Sequence, residues 1–383
     1  MWRICQAKDI GTLDITWDEV ADILNKELRD DGEYYTSSAY RKKYQQAKLF
    51  KDEVFSKETD GEAEKKYQEQ RRELEELKWN LRDERREYSA YNRNAARINE
   101  NFRYLTEQLQ DVSRVHFAPH SSVMFKSDTD MLLILSDWHI GATFDSSWGK
   151  YDSDIAKDRL NQLLEEVKKI QERHGCENLY ISIQGDLLNN NIHKSIAITN
   201  RENVIQQVKL CIEYLSSFIY ETSKFFNHVH ITNTVGNHSR LDRKEDALHD
   251  ERLDDLIGWT VGMLLKDIEN VTLYDNDIDI GIAKMFIRGK EYLNVHGDMD
   301  AYTKGGLSNL CMMLGHIPYA VTFGHLHTCS FDDMQGVKMI RGGSLCGAGD
   351  SYTIEKRLRG VASQMCCICD ENGVQCYYPI ELK

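Results

Sequence analysis

The sequence predicts an α/β fold from about Met131 to the end, preceded by a separate helical region. Three observations carry that expectation. Apolar, β-prone runs of five to eight residues recur as MLLILS, LYISIQ, HVHITNTV, EYLNV and YAVTF. Amphipathic helical patterns lie between several of them, at Ile155 to His174, Glu202 to Phe226 and Leu253 to Leu265. A strand-rich stretch from Lys338 to Leu382 closes the chain and is expected to complete the second sheet.

The preceding elements follow in order. Residues 1–57 read as a helix-turn-helix-like module. Thr16-Trp17-Asp18-Glu19 is a capping box that opens a run through Val20, Ile23, Leu24 and Leu28. After a turn at Asp31 to Tyr35, a second helix begins near Ser37 or Ser38 and carries Arg41, Lys42, Lys43, Lys48 and Lys51, with no acidic residue from Thr36 to Lys51. These basic residues are candidates for nucleic-acid contact, as on the recognition helix of such a pair. A solvated or partner-binding face is the other reading of the same charges.

Residues 58–112 form an arm. From Gly61 to Gln110 there is no proline and no interior glycine, and Tyr67, Leu74, Leu81, Tyr88, Ala95, Phe102 and Leu109 fall seven apart. Leu77, Tyr91, Ile98 and Leu105 occupy the intervening d positions, while Gln70 and Glu84 break that row. The pattern predicts a long helix with one apolar seam, packed as a coiled coil or folded back, and makes a homodimer through the 61–110 helix an expectation. Residues 113–130 contain one of the chain's three prolines and are expected to be a linker into the domain at 131–383.

Composition bounds the class. With 383 residues, 41% of them hydrophobic, the chain has room for about two domains. No stretch is apolar and long enough for a membrane span, and the start has no apolar signal core, so the expected location is the cytoplasm. Ten cysteines in so long a chain point to reduced thiols; Cys366, Cys367, Cys369 and Cys376, around an Asn372-Gly373 hairpin turn, read as core residues rather than a zinc site. The net charge of −14 is mostly that of the C-terminal domain: residues 1–35 carry four Lys/Arg against nine Asp/Glu, residues 36–115 carry 18 against 16, and residues 116–383 carry 26 against 37. That balance neither supports nor excludes a nucleic-acid partner.

Function is written in five motifs, each placed directly after one of the β-prone runs. They are Asp137-Trp138-His139, Gly185-Asp186-Leu187-Leu188-Asn189, Gly236-Asn237-His238, Val295-His296-Gly297 and Gly324-His325-Leu326-His327. Open α/β sheets gather ligands at the carboxyl ends of strands, so five distant segments can meet at one point. Any one motif is weak alone; five in order describe a single metal-binding site.

With these motifs the chain resembles the calcineurin-like metallophosphoesterase superfamily, over about Met131 to Lys383, and within it the phage and bacterial Mre11-like and SbcD-like DNA exonucleases. The resemblance implies a four-layer α/β/β/α sandwich of two mixed sheets flanked by helices. It implies two divalent metals, one held by Asp137, His139, Asp186 and His327 and the other by Asp186, Asn237, His296 and His325, with Asp186 bridging and a metal-bridging hydroxide as nucleophile. His238 matches the family residue that faces the scissile phosphate as general acid or transition-state stabiliser. Imidazole, carboxylate and amide donors without thiolate suit Mn, Fe or Zn, and the nuclease branch suggests Mn.

Departures are local. Where the family commonly has an acidic residue after Gly-Asn-His, this chain has Ser239 and Arg240. Arg240 would either contact a phosphate or pair with a carboxylate such as Asp242. His193, in NNNIHK, would reach the substrate or the metals' surroundings, or be a solvated loop histidine. The expected activity is a DNA nuclease. The alternatives are a small-nucleotide or cyclic-nucleotide phosphodiesterase, and a DNA-binding or partner-recruiting protein with a structural metal site. No Walker A sequence occurs, so an SMC-like ATPase partner would be a separate protein. If the chain is phage-encoded, its compartment is the host cytoplasm.

Overall fold

A computed structural model describes residues 1–29, 32–55, 65–86, 88–89, 103, 117–121, 123–192, 198–242 and 244–383. The chain divides into two compact units, Met1–Ala96 and Arg97–Lys383.

In the first unit, helices α1 (Trp2–Asp9), α2 (Trp17–Leu28) and α3 (Ser37–Phe55) enclose a small core of Cys5, Val20, Ala21, Leu24, Tyr40 and Tyr44. The Thr16–Glu19 capping box is present at the start of α2. One helix more is formed than the sequence pattern indicates. α1 is short and only weakly amphipathic, yet it contributes buried Cys5 and stacks Trp2 on Tyr44 at 5.0 Å. Residues 29–36 join α2 to α3, a longer link than the roughly three- or four-residue turn of a helix-turn-helix. Asn25 fixes this link by bonding both the N–H and the C=O of Tyr35, each at 2.9 Å. Residues 65–86 are helical (α4) and exposed throughout. The seam positions Tyr91, Ala95, Ile98, Phe102, Leu105 and Leu109 lie outside the described residues.

The second unit is layered. Its first sheet runs β13 (Gly373–Glu381), β12 (Ser363–Asp370), β1 (Asp130–Leu135), β4 (Asn178–Gln184), β5 (His228–Thr234), β6 (Val271–Leu273), and its second β10 (Ser330–Met334), β11 (Val337–Arg341), β9 (Ala320–Phe323), β8 (Lys290–Val295), β7 (Ile282–Ile287), while β2 (Phe144–Ser146) and β3 (Gly149–Tyr151) pair as a separate hairpin. The central strands are β1 (Asp130–Leu135), β4 (Asn178–Gln184) and β5 (His228–Thr234), mutually parallel, and β8 (Lys290–Val295) and β9 (Ala320–Phe323), also parallel. All five apolar runs singled out in the sequence are strands. β1 shows why its run is continuous rather than alternating: Leu133 and Leu135 face the helices, and Leu132 and Ile134 face the second sheet.

Helices α5 (Ser153–His174), α6 (Val204–Ser223) and α7 (Leu253–Leu265) cover the first sheet through Leu160, Leu163, Val167, Val208, Leu215, Ile257 and Val261. α8 (Lys304–Leu314) covers the second through Leu307 and Leu310. The result is the four-layer α/β/β/α arrangement.

Two expectations change. The terminal hairpin β12 (Ser363–Asp370) and β13 (Gly373–Glu381) completes the first sheet, with β12 antiparallel to β1 in the register Leu132↔Cys367. Both faces of β12 are buried, Cys366 and Ile368 against the helical layer and Met365, Cys367 and Cys369 between the sheets. Its apolarity therefore fits either sheet, and only long-range pairing decides. The second sheet ends instead on β10 (Ser330–Met334) and β11 (Val337–Arg341). The described part of the expected linker is strapped down. Phe117 packs on Tyr220 at 4.7 Å, Tyr220 Oη donates to Ala118 O at 2.9 Å, and Asn227 brackets Phe125. Cys366, Cys367 and Cys369 are buried free thiols, and Cys376 is a partly buried one.

Candidate metal centre

The loops after β1, β4, β5, β8 and β9 are tied to one another by their backbones. Asp137 N–H donates to Gly185 O at 3.2 Å, His139 N–H to Asp186 O at 3.0 Å, and Gly324 N–H to His296 O at 2.8 Å. Their glycines are required by this closeness. A Cβ on Gly236 would lie 2.2 Å from Asp186 Oδ1, and one on Gly324 would lie 2.1 Å from Ser136 Oγ.

Asp137, His139, Asp186, His325 and His327 all have φ between 50° and 61°. Such left-handed residues without glycine each cost on the order of 1–3 kcal/mol, and they persist where the surroundings over-determine them. Here each turn throws a polar side chain inward at a strand end.

The side chains converge. Asp186 Oδ2 lies 3.2 Å from His296 Nε2, and Asn237 Oδ1 lies 3.3 Å from the same nitrogen. Donor atoms of Asp186, His296 and His325 lie within 4.8 Å of one another, and so do those of His139, Asp186 and His238. On the other side, Asp137 Oδ1 is 3.3 Å from His327 Nε2 and 3.8 Å from His139 Nε2. Asp186 is thus within reach of both groups. All seven expected ligands meet in one place.

Two features of the site fit divalent cations. Asp137 is fully buried, and its Oδ1 accepts no hydrogen bond although His327 and His139 face it. His296 is oriented by its other nitrogen: Nδ1 bonds Gln184 O at 2.6 Å, which leaves Nε2 as the inward donor. Asp137, His139 and His327 can hold one ion, and Asn237, His296 and His325 the other, with Asp186 between them.

Electrostatics sort the groups. Burial works to raise both carboxyls, yet His327 holds Asp137 below its usual range and His296 holds Asp186 well below it. Against its burial, His296 is raised to about 10 by Asp186, and His327 is raised by Asp137. Burial, reinforced by His238 and His327, lowers His139 to about 3, and burial lowers His325. These shifts favour the ionised form of both carboxylates and the neutral, lone-pair-donating form of His139 and His325.

His238 sits at the edge, half-buried. Its backbone N–H donates to Asp186 Oδ1 at 2.7 Å, its Nδ1 bonds Asn189 O at 2.9 Å, and its ring meets His139 edge-on at 4.6 Å. A carbonyl partner requires the proton on Nδ1, so Nε2 is the nitrogen left to exchange a proton. Arg240 bridges by main chain to Arg252, and its Nε is buried without a hydrogen-bond partner. His193 lies outside the described residues. Arg41, Lys42, Lys43, Lys48 and Lys51 belong to α3 of the other unit. There Lys48 pairs with Asp9 at 2.6 Å and Lys43 lies over the Tyr35 ring at 4.2 Å.

Four residues of the centre carry no sequence signal of their own. Asp254 accepts the N–H groups of Asp186 and Gly236, each at 3.0 Å. Asn190 Nδ2 donates to His238 O at 2.6 Å and Arg240 O at 2.7 Å. The Gln364 side chain accepts Ser136 N–H at 2.8 Å and donates to Ser136 O at 3.0 Å. Cys346 places Sγ within 4.8 Å of donor atoms of His139 and His327.

Comparison with known proteins gives the following likenesses. The family model described as the YonJ N-terminal domain matches residues 1–59. The SPbeta prophage-derived uncharacterized protein YonJ of Bacillus subtilis (strain 168) is 24% identical over 340 residues, covering 85% of this chain and 80% of that one. Among solved structures, a novel archaeal phosphodiesterase is 12% identical, with a TM-score of 0.34 over 66% of this chain and 99% of its own. The phosphoesterase YfcE of E. coli is 13% identical, with a TM-score of 0.30 over 65% of this chain and 99% of its own. Vacuolar protein sorting 29 of Cryptosporidium parvum is 14% identical, with a TM-score of 0.32 over 64% and 87%.

Proposed function

We propose that this chain is a two-metal phosphodiesterase acting on DNA. The observation that carries the phosphodiesterase reading is the sharing of Asp186: its carboxylate lies within 4.8 Å of a donor atom of His139 on one side and of His296 and His325 on the other. When bound, two divalent cations at such a site would neutralise phosphate charge and lower the pKa of water, the chemistry of phosphoester hydrolysis. Mn²⁺ is the ion suggested by the nuclease resemblance.

The chain's own groups have definable tasks. His238, with Nδ1 fixed on Asn189 O, presents Nε2 as the proton donor to the leaving oxygen. Arg240 and Arg252, joined by an isolated main-chain bridge, bring two positive charges beside the His238 loop, with Asp298, Asp254 and Asp250 near Arg252. Arg240, whose Nε has no hydrogen-bond partner, is the one that would contact a flanking phosphate. The basic face of α3, with Arg41 and Lys42 exposed, supports a polyanionic partner as well.

The test is Mn²⁺-dependent cleavage of end-labelled single- and double-stranded DNA, run beside bis-p-nitrophenyl phosphate, with wild type and His238→Ala. Degradation of DNA by wild type alone supports the nuclease, and the product ladder distinguishes endo from exo action. Hydrolysis of the simple diester without DNA cleavage would replace DNA by a small nucleotide. Steep loss of DNA affinity with rising salt is expected where several Lys/Arg contacts hold phosphates.

A further inference from the structure

We infer that Cys346 is an additional ligand at the His139/His327 position and makes that position selective for thiophilic divalent ions such as Zn²⁺ and Co²⁺ over Mn²⁺. The inference rests on reading the cluster as a metal centre. It goes beyond that reading by giving the two positions different chemistry.

Geometry comes first. Sγ of Cys346 and donor nitrogens of His139 and His327 all lie within 4.8 Å of one another. Donors on opposite sides of one ion stand roughly 4.4 Å apart when bonds are about 2.0–2.3 Å, so small side-chain rotations bring the three onto one ion. An independent feature marks the same spot: Asp137 Oδ1, fully buried and without a hydrogen-bond partner, points at His327 Nε2 from 3.3 Å. Sulfur and two imidazoles, with the carboxylates of Asp137 and the shared Asp186, make a donor set suited to borderline-soft ions.

The thiol is held in place. Leu345 N–H donates to Asp137 O at 3.1 Å, and Arg159 Nη1 donates to Leu345 O at 2.8 Å and Cys346 O at 3.0 Å. Ser344 Oγ lies 2.9 Å from Sγ and 3.1 Å from Asp137 O. Its single hydrogen can turn from the carbonyl to a thiolate. On binding, the S–H bond breaks, the proton leaves to solvent and the sulfur lone pair forms the bond to the ion. No oxidant or reductant takes part. Among the described residues, the donor group of Asp186, His296 and His325 includes no cysteine.

The experiment is Co²⁺ titration of the full chain, read by absorption, with Cys346→Ser and Cys346→Ala in parallel. Wild type is expected to develop a near-ultraviolet thiolate-to-cobalt charge-transfer band together with visible d–d bands. Both variants are expected to keep d–d absorption and lose the charge-transfer band. Zn²⁺/Mn²⁺ competition followed by elemental analysis is expected to show at least a tenfold drop in Zn²⁺ preference in the variants. Cobalt d–d bands in wild type without a charge-transfer band overturn the ligand role, even if the variants do not fold. A charge-transfer band that survives in folded variants also overturns it. Absence of any cobalt binding overturns both this inference and the metal-centre reading beneath it.

Discussion

Asp254 holds Asp186 from behind: Oδ2 of Asp254 accepts the backbone N–H of Asp186 at 3.0 Å. The same oxygen accepts Gly236 N–H at 3.0 Å, and Oδ1 accepts Leu187 N–H at 3.3 Å. One buried carboxyl at the start of α7 thus ties together two motif loops from neighbouring strands. It is a positioning residue, acting on the centre through Asp186 and the Gly236–Asn237 turn.

Asp254→Ala removes both acceptor oxygens and all three hydrogen bonds, and is expected to lower metal affinity or turnover by roughly 10–100-fold, the usual scale for groups that orient ligands. Asp254→Asn keeps one acceptor oxygen and should lose less. Elemental analysis and turnover on a simple diester check this; wild-type values in Asp254→Ala would remove the positioning role.

The same carboxyl gives the metal-free protein a pH signature. Burial, aided by the charge of Asp186, pushes Asp254 up to about 7, from an ordinary 3.8. A raised folded-state value means that the folded chain binds a proton the unfolded chain lacks between those limits. Its stabilising contribution is full below about pH 4 and is lost as pH rises through about 7, by at most about 1.4 kcal/mol per pH unit. His139, lowered to about 3, contributes a slope of the opposite sign below about pH 6.5, so the readout is the difference: in chelator, wild type should lose more stability per pH unit than Asp254→Asn between about pH 4 and 7. Equal slopes would contradict the assignment.

How much of this was legible in the sequence depends on the range of the information. The five motif strands were readable because each is a local apolar run, and the α2 start because Thr16 and Glu19 sit three apart. Asp254 was not, because an acid in the first turn of a helix ordinarily serves the helix dipole. Cys346 and Gln364 reach the centre only through folding. Gln364 lies on β12, whose place beside β1 joins residues such as Leu132 and Cys367 across most of the chain. α1 was missed since eight residues with little amphipathicity carry no periodic signal.

His238→Ala is expected to retain both metals and lose on the order of 10²-fold or more in turnover, the scale of a positioned proton donor or charge stabiliser. Asp186→Ala is expected to lose metal instead, because its carboxylate lies within reach of both donor groups. Elemental analysis beside steady-state kinetics separates the two outcomes. Near-normal turnover in the first variant, or full occupancy in the second, would overturn the respective role.

Arg288 supports the fold away from the centre. It lies in the turn between β7 (Ile282–Ile287) and β8, with Nη2 2.8 Å from buried Asp130 Oδ1 at the start of β1 and 2.9 Å from Glu177 Oε2. The guanidinium thereby links the second sheet to the first. Arg288→Ala leaves Asp130 buried without its counter-charge, and removing one partner of a buried pair typically costs about 3–5 kcal/mol. Urea denaturation is expected to show a loss in that range, and a change under about 1 kcal/mol would mean that the pair is effectively solvated.

On α4, the apolar seam carries the proposal of a homodimer. Tyr67, Leu74, Leu77 and Leu81 are each more than half exposed, between 51% and 63%, so within the chain the stripe has no cover among the described residues. With Leu74 and Leu81 at a, the flanking g and e positions place Glu73 opposite Lys78 of a second copy only when the helices run parallel. An antiparallel pairing would set Arg71, Lys78 and Arg85 against one another. The expected result by light scattering at micromolar concentration is a dimer, converted to monomer by Leu74→Glu with Leu81→Glu while both proteins keep their helical content. A wild-type monomer under those conditions would remove the dimer and leave the seam to some other partner.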